Sequence, residues 1–371
     1  MVSHEVDRNA LGQKVAVAMS GGVDSSVAAA LLIDEGFEVI GIMMRLWSEP
    51  AVKGHQQANR CCTPDQMADA RRVADLLGIP FYVLDVQDFF REVVVDFYVR
   101  EHLKGLTPNP CIRCNRYVRF ELLLDHALAL GADFLATGHF ARINEVNGQY
   151  QLLEARDSHK DQSYVLHVLD QERLGKLMFP VGDYTKDEVR ELAKRFGLPV
   201  ATKDESMDLC FIADGNPKRF LSERPTFNVQ PGPVFAQDGK LLGRHDGIPF
   251  YTIGQRKGLG IATGEPMYVI DKNADQNALI LGTRDQLGRS SLHARQTNWV
   301  AGFPIAKGKR VGVKIRYRAK PAGVIVLNCS ADEVSVKFLE PVYGITAGQG
   351  AVFYDDNVCL GGGIITNEDV Q

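Results

Sequence analysis

Hydrophobic and polar positions follow two rhythms along this chain, and the change between them falls near residue 225. Before it, short apolar runs alternate with stretches of helical period: Lys14–Met19 (KVAVAM), a helix over about Asp24 to Glu35 closed by Gly36, then Phe37–Met44 (FEVIGIMM). Strand, helix and strand in that order make a βαβ unit with parallel strands. A helix over Asp65–Leu77, a run Phe81–Val86, helices over about Asp88–Leu103 and Asn115–Leu130, and a run Asp133–Thr137 continue the alternation. The solution that buries all these apolar faces is an α/β fold with a doubly wound parallel sheet. The runs Ala141–Val146 and Gln149–Glu154 flank Asn147-Gly148, a pair suited to a tight turn, and predict a hairpin at the edge of that sheet.

Thr185 and Glu188 have capping-box spacing ahead of a short helix that stops at Gly197-Leu198-Pro199, and a further helix is expected near Lys218–Arg224. After Pro225 the helical period disappears, and short β-rich runs separated by Gly and Pro continue to Thr366, as in a barrel. Three domains are expected: residues 1–170 with about 200–215, about 171–199 with 216–285 as a small central domain, and 286–371 as a C-terminal β-barrel.

Composition narrows the class. With 45% hydrophobic and 24% charged residues over 371 positions, the chain can build several cores and is neither disordered, collagenous nor a coiled coil. Apolar runs stay far below the ~20 residues that span a bilayer. The segment Met1–Lys14 carries His4, Glu5, Asp7 and Arg8 where a secretion signal needs an apolar centre, so a cytoplasmic protein without membrane contact is expected. The net charge of −4 argues against a polyanion partner until its distribution is read: between Arg284 and Lys320 ten basic residues meet one acid, Asp285. Seven cysteines, an odd number with no secretion signal, favour reactive or metal-binding thiols over a disulfide framework.

Ser20-Gly21-Gly22-Val23-Asp24-Ser25-Ser26 lies between the first strand and the first helix. Paired glycines permit a tight turn that exposes backbone N–H groups at a helix N-terminus, which favours phosphate, and Asp24 is placed to hold an accompanying Mg²⁺. Read alone, the glycines could be only a turn and the serines only caps. The pattern is neither a Walker loop nor a dinucleotide loop. It resembles the PP-loop of the ATP pyrophosphatase superfamily, which splits ATP between its α- and β-phosphates and transfers AMP to a substrate oxygen. Amidating synthetases and RNA sulfur-transfer enzymes share that loop, so it does not choose between them.

The cysteines choose. Thr107-Pro108-Asn109-Pro110-Cys111-Ile112-Arg113-Cys114-Asn115 sets two thiols just before an amphipathic helix, where the helix dipole favours thiolate. Cys210 stands far downstream in Glu205-Ser206-Met207-Asp208-Leu209-Cys210-Phe211-Ile212. A lone cysteine beside Phe211 and Ile212 is commonly a small core residue, whereas an activated thiol with a distant partner suits covalent sulfur chemistry. SGGVDSS, TPNPCIRCN and ESMDLCFI, in this order, closely resemble the tRNA-specific 2-thiouridylase family, and the similarity runs on to GQGAVFYDDNVCLGGGII.

The resemblance implies that ATP, with Mg²⁺, adenylates the C2 oxygen of the wobble uridine of tRNA, and that sulfur then replaces the AMP. Cys210 would receive a persulfide sulfur from a carrier protein, and Cys114 would be the nucleophile that frees the sulfur, leaving a Cys114–Cys210 disulfide for a reductant to reset. Ala18, Met19, Ser20, Gly21, Gly22, Val23, Asp24, Ser25, Met44 and Gly138 would bind ATP. Asn109, Pro110, Cys111, His139, Lys160, Asp161, Gln162, Arg316, Tyr317 and Gln349 would meet tRNA, and the protein would act as a monomer.

Cys111 departs from the family, many of whose members carry Asp there as a proposed general base; a thiol with pKa ~8.5 is a weaker base. Cys111, Cys114 and Cys210 could instead hold an iron–sulfur cluster, or the CxxC pair a zinc ion. Cys61 and Cys62 read as bystanders, Cys329 and Cys359 as ordinary side chains among β residues. In Val311–Arg318 a strand would bury Val311, Val313, Ile315 and Tyr317 and align Lys314, Arg316 and Arg318 on the other face, a solvated face or a phosphate contact.

Overall fold

The computed structural model describes residues 12–47, 49, 63–203, 209–224, 229–261 and 264–367. Five parallel strands form the first sheet: β1 Lys14–Ala18, β2 Glu38–Arg45, β3 Phe81–Asp85, β4 Phe134–Thr137 and the short Leu177–Met178, in the order β3-β2-β1-β4 with Leu177–Met178 at the edge. Glu38–Arg45 is buried at six successive positions between its charged ends, as expected of a strand covered on both faces. Alternate side chains divide between two cores. Ala16, Ile40, Ile42 and Leu135 face the helical segments 87–103 and 110–129 through Phe90, Val94, Val118, Phe120 and Leu123. Val15, Val17, Val39 and Ala136 face α1 (Val23–Asp34) and α2 (Pro64–Leu77). The helix Lys186–Arg195, opened by the Thr185/Glu188 capping box, adds Val189 and Ala193 to this second core.

Strand order reverses at β1, which has β2 on one side and β4 on the other, so the crevice beyond the carboxyl ends of β1 and β4 is where such a sheet receives ligands. The hairpin forms with β5 (Ala141–Val146) and β6 (Gln149–Glu154) at the expected bounds, Asn147 and Gly148 both having positive φ. Its place differs from expectation. β6 pairs with a C-terminal strand, Val358 opposite Leu153, and not with the first sheet. Leu152 sits in the first core beside Cys359 and Tyr354, and this burial decides the docking.

The central part holds a four-stranded sheet of Gly232–Ala236, Leu241–His245, Tyr268–Asn273 and Ala278–Gly282 over its own core of Val234, Val269, Leu279 and Leu281. The last six strands are Gly288–Trp299, Arg310–Lys314, Ala322–Cys329, Glu333–Tyr343, Gly350–Asp355 and Val358–Ile365; the first and last of them pair, closing a six-stranded barrel. The run Gly361-Gly362-Gly363 makes the closure possible: a Cβ on Gly361 would lie 2.1 Å from the Asn298 carbonyl oxygen and one on Gly362 2.4 Å from that of Ala351. The Arg310–Lys314 strand ends before Arg316, so the expected stripe of three cations does not form. Lys314 is buried, while the other nine basic residues between Arg284 and Lys320 are exposed.

Candidate functional site

The phosphate loop turns where β1 runs into α1. Gly21 has φ +70, and a Cβ there would lie 2.2 Å from the carbonyl oxygen of Gln66 in α2, so both conformation and space demand glycine. Ser20 N donates to Ser25 Oγ at 3.2 Å, and the Ser25 and Ser26 hydroxyls donate to the Gly22 carbonyl at 3.3 and 2.8 Å. Gly22 is the N-cap of α1 and no side chain caps it, so the positive end of the helix is met by loop backbone alone. Met19 and Val23 are buried as backing, with Met19 N bonded to Ile42 O at 2.8 Å, and Ala18 is half-buried. Asp24 accepts from Lys186 Nζ at 2.5 Å. Met44 contributes its side chain to the first core, opposite Leu84 of β3.

Asn109 caps the cysteine helix, its Oδ1 accepting from Cys111 N at 3.0 Å and Ile112 N at 3.3 Å, with Pro110 at the first helical position. The helix therefore starts earlier than expected, and both thiols lie inside its first two turns. Cys111 is exposed and Cys114 buried. The Arg113 guanidinium is stacked over Phe97 and Tyr117, at 4.4 and 4.7 Å from the ring centres. Cys210 is half-buried at the margin of the core that contains Cys114, anchored by Phe211 against Tyr98 and Phe220, both at 5.4 Å.

The dipeptide Gly138-His139, at the carboxyl end of β4, joins the two motifs. A Cβ on Gly138 would lie 2.6 Å from Ser25 N, so its backbone rests on the phosphate loop. The His139 ring lies 5.7 Å from that of Phe120, in the same helical run as Cys114. Burial, with Arg119 adding to it, drives the His139 imidazole down to about 3, so the ring is neutral.

The residues expected to meet tRNA divide. His139 is buried between Phe120 and Phe179 and turned away from solvent. Asp161, also buried, accepts from Ala155 N, Ser163 N and Lys314 Nζ at 3.1 Å each, and Gln162 Oε1 accepts from Phe140 N at 2.9 Å. Packing has turned these three inward; Lys160 is half-buried beside them. Burial works against the Lys314 ammonium, yet Glu154 and Asp161 hold its pKa above the ordinary lysine value. Arg316 is exposed and donates to the Gly344 carbonyl at 2.5 Å; the Tyr317 ring lies 6.3 Å from that of Tyr164, tilted by 59°, and the Tyr164 hydroxyl donates to the Gly350 carbonyl. Gln349 Nε2 donates to the Thr107 carbonyl at 2.9 Å, so the barrel loop meets the segment that leads into Asn109 and Pro110.

Among the described residues no three His, Cys, Asp or Glu side chains are grouped to hold a metal ion, so Cys111, Cys114 and Cys210 do not fit a three-thiolate cluster in this arrangement. Cys61, Cys62 and the motif positions Glu205 to Asp208 lie outside the described residues. Cys359 is buried, which pushes its thiol up to about 12 and leaves it unreactive.

The sequence reading missed two groups. Lys186 and Lys203 converge on the phosphate loop, Lys203 Nζ standing 3.0 Å from the Gly21 carbonyl and 2.6 Å from Asp69. Glu49 accepts from Ala213 N at 3.0 Å and, with Asp214, grips Arg219, fixing the turn after Cys210. No local pattern announces pairs separated by 134 to 182 residues.

Sequence models match the chain in three pieces: a tRNA methyl transferase HUP domain over 13–214, a tRNA methyl transferase PRC-barrel domain over 218–283 and an aminomethyltransferase β-barrel domain over 289–365. The tRNA-specific 2-thiouridylase MnmA of Carboxydothermus hydrogenoformans is 45% identical over 95% of this chain and 97% of its own. That of Moorella thermoacetica is 45% identical over 94% and 98%, and that of Pelotomaculum thermopropionicum 46% over 95% and 97%. With such identity along nearly the whole of both chains, this protein belongs to the tRNA-specific 2-thiouridylase family.

Proposed function

We propose that the protein is an ATP-dependent tRNA sulfurtransferase that makes 2-thiouridine at the wobble position. The observation that carries this is the Gly138-His139 bridge, whose backbone touches the phosphate loop while its ring touches the helix of Cys114. ATP held by Ser20 to Ser25 would present its α-phosphorus toward the same crevice the thiols border. The uridine C2 oxygen attacks that phosphorus, the bond to the β-phosphate oxygen breaks, and pyrophosphate leaves. The outer sulfur of a Cys210 persulfide then attacks C2 and AMP departs with its electron pair. Cys114 thiolate attacks Cys210 Sγ, the sulfur stays on the base, and the resulting disulfide takes two electrons from a thiol reductant to reset. Mg²⁺ would neutralise the phosphates, and Asp24, whose Oδ1 accepts from Lys186 Nζ, would be the loop carboxylate to hold it. No step runs through a metal cluster.

A carrier protein supplies the persulfide sulfur in this reading, and the exposed cations of the barrel hold tRNA phosphates without reading sequence. Methyl transfer would have no use for a phosphate loop beside two separated thiols. An amidating synthetase would need an ammonia donor and no tRNA. The test is mass spectrometry of tRNA nucleosides after incubation of anaerobically purified protein with ATP, Mg²⁺, unmodified tRNA and a low-molecular-weight thiol persulfide as the sulfur donor. 2-Thiouridine that forms only with ATP supports the proposal; ATP turnover on folded protein without thiolated product overturns it.

A further inference from the structure

Asp24 is the sole charged side chain in Ser20 to Ser26, and the fold sets a second carboxylate, Asp69 of α2, beside the loop. A triphosphate would meet two negative charges there if nothing else intervened. Two lysines from beyond residue 180 intervene. Lys186 Nζ is 2.5 Å from Asp24 Oδ1, and its own backbone N–H is fixed on Asp157 Oδ2 at 3.0 Å, next to the Thr185/Glu188 cap. Lys203 Nζ is 2.6 Å from Asp69 Oδ2 and 3.0 Å from the Gly21 carbonyl. Lys186 is buried and Lys203 half-buried, and both ammoniums are held by a carboxylate.

Resting on the adenylating reading above, we propose that Lys186 and Lys203 form the subsite for the β- and γ-phosphates of ATP. An ammonium has three donors; Lys203 spends two on Gly21 and Asp69, and a phosphate oxygen can take the third without breaking either bond. Negative charge grows on pyrophosphate as the bond to the α-phosphorus breaks, and a cation fixed there in advance stabilises that charge without reorganising. The arrangement also selects ATP over AMP, because AMP has no phosphate that reaches the two ammoniums.

The test is equilibrium titration of the full-length protein, with Mg²⁺, by ATP, inorganic pyrophosphate and AMP. Lys203→Gln and Lys186→Gln are each expected to weaken ATP and pyrophosphate at least tenfold while AMP stays within twofold. Adding Asp69→Asn to Lys203→Gln removes the carboxylate that has lost its lysine and keeps only Arg72 as cation partner, and should recover part of the pyrophosphate affinity; Lys203→Arg, keeping charge and fold, should retain most of it. Equal losses for ATP and AMP, or none for either, would overturn the subsite. Wild-type protein that binds ATP and pyrophosphate yet makes no 2-thiouridine would instead sink the thiolation reading and leave this measurement standing.

Discussion

Gln349 of the barrel donates its side-chain amide to the Thr107 carbonyl at 2.9 Å, across 242 residues of sequence. Around this bond Thr107 N donates to the Ala347 carbonyl at 3.0 Å, and a Cβ on Gly350 would lie 2.9 Å from Ile112 Cδ1. The barrel loop is thereby strapped to the segment that begins the cysteine helix. Gln349→Ala should lower the thiolation rate constant of the tRNA-saturated protein by roughly threefold to tenfold, the worth of about one hydrogen bond, with ATP affinity unchanged. Single-turnover kinetics read this directly, and a change confined to tRNA affinity would leave Gln349 as an RNA contact alone.

In the proposed mechanism Cys210→Ser should abolish 2-thiouridine formation and leave tRNA-dependent pyrophosphate release largely intact, since adenylation precedes the sulfur step. Parallel assays of thiolated nucleoside and pyrophosphate separate the two halves, and joint loss of both would contradict this division.

Gly21→Ala sets a Cβ against the Gln66 carbonyl at a residue with positive φ. The strain should destabilise the loop by about 1–3 kcal/mol and remove measurable ATP binding. Chemical denaturation with an ATP titration checks it; wild-type affinity would mean that α2 yields.

Burial lowers the pKa of four histidines, His245 among them, and three of the four set most of a pH dependence. Burial holds His139 at about 3, and His102 and His167 at about 4, against an ordinary 6.5. Between these values the unfolded chain binds protons that the folded one refuses, so stability is complete above about pH 6.5 and falls as pH drops toward 4. Each histidine adds a slope approaching about 1.4 kcal/mol per pH unit. Denaturation midpoints at pH 7.5, 6 and 5 should fall accordingly, and His102→Gln should flatten the slope; a flat profile for the wild type would show that these rings are not held neutral.

Lys314 pairs with Glu154 and Asp161, tying the barrel to the hairpin and the turn after it. Lys314→Met leaves the buried Asp161 and the half-buried Glu154 without their cation and should cost about 3 kcal/mol. If stability instead stays within 1 kcal/mol, as an exposed pair would give, and only tRNA affinity falls, the Lys314 cluster is an RNA surface and not a brace.

Periodicity and local chemistry determined much by themselves. The strands up to Thr137, the Thr185/Glu188 cap, the Asn-Gly hairpin, the phosphate loop and the β character after residue 225 were legible because each depends on neighbours a few positions away. Tertiary structure alone decided which sheet the hairpin joins, that Asp161, His139 and Lys314 turn inward, and that Lys186 and Lys203 reach the loop. Asp161 and Lys314 read as solvent-facing because charge favours water, and each is buried only because the other supplies the compensating charge 153 residues away. Lys203 and Gly21 likewise meet only after α2 and the later helix have packed on the sheet, and no local period encodes a distance between side chains whose separation is set by folding.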